Sequence, residues 1–248
     1  MAPIPAYFSA LILLANMLLP VICTVPIAMA ARRMNQPWVG FATGAFFAAW
    51  LYAALALCIA GAFSPGAPQF WPGHSNTAPL AGAAIAIALV AGLGVRPIRE
   101  ALDAIPNHWI VTAQIGRMLG FVVLTLGLMG IVPIAFASPA GWGDGLTGLA
   151  APFVAYALYR RLPFALVAAW AWNLFGFADL VNVTVLAAHS MPGTPMYRPD
   201  MGDNSVFALL PLGLLQVVYG PLFILLHVFS MRALVREHLG ARAVASSA

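Results

Sequence analysis

The chain contains no lysine. All 11 of its basic residues are arginine, so no cofactor can be held as a Schiff base and no Ser-Lys pair can act as a nucleophile. That removes covalent retinal and pyridoxal phosphate chemistry. Charge of either sign is also scarce, with 7% of the 248 residues charged against 62% hydrophobic. Water would not keep such a chain dispersed as a monomer. Cysteine is limited to Cys23 and Cys58, both inside apolar runs and without C-x-x-C spacing, so they read as small packing residues. Motifs for hydrolytic or phosphate chemistry are missing too: there is no H-E-x-x-H, serine elbow, Gly-rich phosphate loop or pair of glutamates.

What the chain has is long apolar runs. A crossing of about 30 Å of hydrocarbon needs ~20 residues at 1.5 Å each, and seven segments approach or exceed that length: 6–31, 38–63, 79–95, 109–136, 145–159, 163–188 and 205–231. The fifth is short. The first is too long, and too poor in basic residues at its start, to read as a signal peptide. The expected fold is all-α, a polytopic bundle of seven transmembrane helices forming one domain over residues 1–236, with a frayed cytoplasmic tail at 237–248.

Arginine placement orients the bundle. Arg32 and Arg33 follow the first segment, Arg96 and Arg99 the third, Arg160 and Arg161 the fifth, and Arg232 and Arg236 the seventh, whereas the opposite loops hold only Arg198. By the positive-inside rule the amino terminus lies outside and the carboxyl terminus in the cytoplasm. The net charge of +4 is thereby explained without nucleic acid; the expected partners are the lipid bilayer and a small-molecule ligand or lipid. An Ala- and Arg-rich, lysine-free chain suits a multi-pass protein of a bacterial inner membrane.

The outer loops at 64–79 and 191–204 are rich in turn formers and aromatics and read as ordered caps. His74 and His189 belong to that side. On the inner side 97–104 (PIREALDA) either forms a short helix at the headgroups, with Ile98, Leu102 and Ile105 on one face, or is a plain connector.

Polar groups at membrane depth are the functional candidates. Arg117 lies ~12 Å beyond Trp109, at 1.5 Å per residue, with Gln114 one turn earlier on its face. Its head either snorkels to the inner surface or pairs with a carbonyl, a carboxylate or a ligand. Asp179 lies ~24 Å beyond Pro163, toward the outer half, with Asn173 and Asn182 at spacings that can share its face. The offset makes a polar ladder through Asn173 an easier link to Arg117 than a direct ion pair. Burial that favours a protonated carboxylate would make Asp179 a proton-coupling group.

The stretches 141–147 (GWGDGLT) and 176–182 (GFADLVN) repeat one order of Gly, aromatic, small residue and Asp. Asp144 either caps the fifth segment or lines an outer polar pocket. In the seventh segment Gln216 and Tyr219 precede Gly220 and Pro221, a pair able to bend a helix and free a carbonyl, and could line the same cavity as Arg117. Pro20, Pro26 and Pro133 add further irregularity within segments. His108 and His227 both fall toward the inner side and are the only pair to consider as haem ligands, without metal-ligand spacing.

Three functions remain open. A small-solute transporter or ligand-binding permease would use Gln114, Arg117, Asn173, Asp179, Asn182, Gln216 and Tyr219 as its site, with Asp144 in an outer pocket. A redox or lipid-modifying membrane enzyme would bind haem, a quinone or an isoprenoid. A cofactor-free scaffold or accessory subunit would use the same groups only to fix packing. The expectation taken forward is the transporter.

Overall fold

The computed structural model describes residues 3–68 and 76–246, with side chains described up to His238. Its elements are α1 (Ala6–Arg33), α2 (Pro37–Ile59), α3 (Thr77–Gly94), α4 (Arg96–Asp103), α5 (Asn107–Ala113), a 3₁₀ segment (Gln114–Leu119), α6 (Gly120–Leu128), α7 (Ile134–Tyr159), α8 (Ala165–Ser190), 3₁₀ turns at Pro199–Met201 and Ser205–Ala208, a π-turn (Leu215–Tyr219) and α9 (Gly220–Ser246). Among the described residues there is no strand. His74 lies outside the described residues.

Among the described residues six helices are long and apolar enough to cross a membrane: α1, α2, α3, the continuous rod Asn107–Leu128, α8 and Leu215–His238. Their outward faces are greasy. Phe41, Tyr52, Ile59, Val90, Leu128 and Val167 are each 72–76% exposed, a density of apolar surface that water does not tolerate and lipid does. Helix α7 has the length, at 26 residues, but holds Pro139, Pro152 and Asp144 together with Gly141, Gly143, Gly145 and Gly148. It is less apolar because it is built for close contact.

Boundaries follow local chemistry. Proline occupies the first turn of α2 and of α4, where its missing N–H costs nothing and its φ is already helical. Left-handed residues close helices: Asn35 after α1, Gly61 after α2, Gly130 after α6 and Arg161 after α7. The left-handed Gly130 and then Pro133 break what reads as one run at 109–136; Pro133 leads into α7 rather than interrupting a span, and Phe136 belongs to α7. The segment expected at 145–159 therefore starts eleven residues earlier. The run expected at 205–231 begins as a 3₁₀ turn, and continuous helix is delayed to the π-turn. The tail at 237–248, expected to fray, continues α9 to Ser246.

The helix ends gather into two groups. At one end, Asp103 at the close of α4 accepts two bonds from Arg232 (3.0 and 2.8 Å) and pairs with Arg236 (2.9 Å). The 97–104 stretch is a helix whose Ala101 is buried with Ile27, Ala30, Ala31 and Val39, and whose Ile98 and Leu102, with Ile105 just beyond it, pack against that cluster. It docks on the ends of α1 and α2 and is neither a plain connector nor a free headgroup helix. At the other end, the loop after α8 is pinned by Arg198 N–H to His189 O (2.7 Å) and Asn204 N–H to Ser190 O (2.8 Å), and its Gly202 packs on Pro133.

The π-turn is the main irregularity of α9. Pro221 has no N–H to offer Val217 O four residues before it, and the Trp50 indole N–H of α2 supplies a donor at 2.7 Å. Trp50 is buried, so Trp50→Phe keeps most of the volume and strands that carbonyl. The variant is expected to lose about 1–3 kcal/mol of stability, read by reversible unfolding in mixed micelles; an unchanged midpoint would show that the π-turn does not need this bond.

Candidate functional site

Arg117 sits in the 3₁₀ segment between α5 and α6, and its side chain is fully buried. Four groups from three helices accept its protons. Nε donates to Asp144 Oδ1 of α7 (2.7 Å), Nη2 to Asp179 Oδ2 of α8 (2.5 Å), and Nη1 to Gly176 O of α8 and His227 Nε2 of α9 (both 2.9 Å). The guanidinium neither snorkels nor faces a cavity: it is sealed among protein acceptors.

A direct Arg117–Asp179 pair replaces the expected ladder through Asn173. The 3₁₀ segment rises ~2.0 Å per residue rather than 1.5 Å, which carries Arg117, its fourth residue, ~2 Å further along the bundle, and the long side chain covers the rest. Asn173 joins from the other side. Arginine only donates, so His227 Nε2 is the acceptor and the ring proton lies on Nδ1, which donates to Asn173 Oδ1 at 2.9 Å. Asn173 Nδ2 then donates to Ala169 O (2.9 Å) and Ser230 Oγ (3.0 Å). The His227 ring also packs against Trp172, centroids 5.1 Å apart.

Glycine makes this approach possible. A Cβ on Gly176 would lie 2.6 Å from the His227 ring and 2.8 Å from Arg117 Nη1, and a Cβ on Gly143 would collide with Asp179 Oδ1. Helices pack this tightly in membranes where small residues let backbones meet.

Asp144 is the only one of these groups with an open side. It stands ten residues into α7, so it is no helix cap. Its side chain is 22% exposed and lines a cavity of about 500 Å³ enclosed by α3, α6, α7, α8 and α9. Gln216 and Tyr219 line the same cavity, with Thr184 and apolar residues such as Leu119, Phe136, Leu180 and Phe223. Tyr219 donates its hydroxyl to Gly116 O, a carbonyl of the 3₁₀ segment.

The other sequence candidates fall elsewhere. Asn182 is exposed on the outer face of α8, away from the cluster. Gln114 is fully buried, one turn from Arg117, and neither of its amide atoms has a protein partner. His108 packs edge-on against Tyr159, centroids 5.3 Å apart, whereas both ring nitrogens of His227 are engaged by Arg117 and Asn173. The pair offers no shared haem site. Among the described residues no three His, Cys, Asp or Glu side chains converge to hold a metal.

His227 and Ser230 were readable as part of this site only through spacing. Tyr219 at the end of the π-turn and Phe223, His227, Ser230 and Leu234 of α9 form one stripe at helical intervals, and all five are buried. That stripe was the available signal.

The class so defined is an all-helical protein with six membrane-length apolar helices and an arginine–dicarboxylate cluster at its centre. It belongs to the family described as a domain of unknown function (DUF8737), whose family model matches residues 76–235. That stretch holds every member of the Arg117 cluster. No curated protein and no solved structure matches the chain.

Removing the guanidinium would strand two carboxylates in a low-dielectric interior. Arg117→Met is expected to cost about 3–5 kcal/mol, and the triple variant Arg117→Met, Asp144→Asn, Asp179→Asn to recover most of that loss. Equal destabilisation of the single and triple variants would show that packing, not charge pairing, governs this centre.

Proposed function

We propose that the chain is a seven-span protein of a bacterial inner membrane, with α7 as the seventh crossing, its amino terminus outside and its carboxyl terminus cytoplasmic. It serves as a small-solute transporter or ligand-binding permease. The orientation is supported by Arg32, Arg33, Arg96, Arg99, Arg160, Arg161, Arg232 and Arg236, which follow alternate segments. The observation that carries the function is the 500 Å³ cavity beside the cluster, within the range of ordinary small-molecule sites. It lies toward the end of the bundle formed by residues 60–68 and the loops at 129–133 and 191–214, the outer side in this orientation. Asp144 offers it a carboxylate edge, Gln216 an amide, and the remaining walls are chiefly apolar.

One observation favours a second reading, a membrane enzyme acting on an isoprenoid or quinone. A groove of about 260 Å³ lies between α1, α2, α3 and α9 and is lined by Phe46, Phe47, Trp109 and Phe229. An apolar tail would fit it. No carboxylate or histidine is among the described residues that line that groove, which leaves the Asp144 cavity the better site for recognition.

Two measurements test the proposal. Single cysteines introduced as Arg99→Cys and Met196→Cys, in a background lacking Cys23 and Cys58, are expected to label from the cytoplasmic and outer sides respectively; labelling of both from one side would remove the seven-span topology. In purified protein, a screen of small solutes by thermal shift is expected to find stabilising ligands whose effect weakens about ten- to a hundredfold in Asp144→Asn, the loss of one charge-assisted hydrogen bond. A visible absorption band or a stoichiometric bound cofactor in the same preparation would instead favour the enzyme.

A further inference from the structure

We propose that the cavity beside Asp144 selects organic cations with an apolar body, such as substituted ammonium or phosphonium ions, and that one cation and one proton compete for it. The inference rests on reading this cavity as a ligand site and names its substrate class.

Charge counting carries the argument. The 3₁₀ segment supplies one guanidinium, Arg117, while α7 and α8 supply two carboxylates, Asp144 and Asp179, both in direct contact with it. From α9 comes His227, neutral because it accepts from Arg117, and from the π-turn Tyr219, whose hydroxyl is spent on Gly116 O. Helices α3 and α6 contribute no charged residue over Thr77–Gly94 and Gly120–Leu128. With both carboxylates ionised the cluster would carry one negative charge in excess, so it holds one proton or one cation to stay neutral. Its exposed part is Asp144: Oδ1 accepts from Arg117 Nε, and Oδ2 has no hydrogen-bond partner among the described residues.

Position decides the ligand's sign. Arg117 lies behind Asp144 with no exposed surface, so an anion entering the cavity would meet a carboxylate before the guanidinium. No Arg or His is among the described lining residues. In surroundings of low dielectric an unbalanced charge is costly, and its attraction to a cation is correspondingly strong. The apolar walls, Leu119, Phe136, Leu180, Phe223 and Ile224, suit a hydrocarbon body rather than a hydrated metal ion. Because a single negative charge is available, a cation bound at Asp144 displaces a proton from the Asp144–Asp179 pair. One positive charge enters and one leaves, so the site stays neutral in both states.

The experiment uses the full chain in lipid nanodiscs, with protein-free nanodiscs subtracted. Radiolabelled tetraphenylphosphonium and tetraphenylborate have one shape and opposite charge, and triphenylphosphine oxide is a neutral relative. Tetraphenylphosphonium is expected to bind saturably at one per chain, at least about tenfold tighter than the other two. Its binding should weaken as pH falls from 8 to 5 and drop about tenfold or more in Asp144→Asn. Gly82→Phe provides a control that leaves the ionic cluster alone: Gly82 lines the cavity, and a Cβ there meets nothing within 4 Å. That variant should abolish binding by filling the space.

If tetraphenylborate or the oxide binds as tightly and Gly82→Phe blocks it, the cavity remains a ligand site and the cation assignment is overturned. If tetraphenylphosphonium binds equally well at pH 5 and pH 8, proton competition is overturned. If none of the three binds saturably, the ligand-site reading falls along with the proposal.

Discussion

A guanidinium with no solvent contact at the centre of an apolar bundle is the constraint around which this structure is arranged. Arginine cannot shed its charge in a protein, and at membrane depth its burial costs at least ~2.5–3.5 kcal/mol unless acceptors surround it. The chain answers with acceptors from α7, α8 and α9, all within 2.9 Å of a guanidinium nitrogen. To bring three helices that close to one side chain, their facing surfaces must be small. The glycines of α7 and Gly176 of α8 follow from this need, and so does the reduced hydropathy of α7.

The same arrangement separates scaffold from surface. Arg117, Asp179, His227, Asn173 and Ser230 are buried and mutually bonded, which makes them a rigid support. Asp144 alone turns an edge toward the large cavity. A carboxylate held by a fixed arginine is preorganised, so little ordering cost would fall on a ligand bound at the proposed site. The π-turn serves the same region. It places Gln216 and Tyr219 on the cavity wall, while Trp50 takes up the Val217 carbonyl that Pro221 leaves without a donor.

The opposite end of the bundle is built differently. There the arginines meet Asp103 near the surface, and α4 closes α1 and α2 with a small apolar cluster. Those pairs are exposed enough to be screened and contribute little individually. They tie α4 to α9 and keep the arginine-rich end distinct from the end that holds the cavity.

Hydropathy, helix period and arginine spacing are local properties, so the sequence by itself determined the all-helical character, the apolar membrane-length runs, the alternation of arginines and the interest of Arg117 and Asp179. An isolated charge in an apolar run announces itself without a partner. Where helices break was less legible: Gly130 and Pro133 divide an apolar run that hydropathy alone cannot divide, because residues on both sides of the break are equally apolar. Only the tertiary structure decided the partners. Asp144 looks like a helix cap until α7 is seen to begin at Ile134, His227 looks interfacial until α9 turns it onto Arg117, and Asn182 looks like a site residue until α8 turns it outward. Rotation of a helix about its axis, and the extra rise of a 3₁₀ segment, are set by packing against neighbours far away in the chain. No local pattern records them.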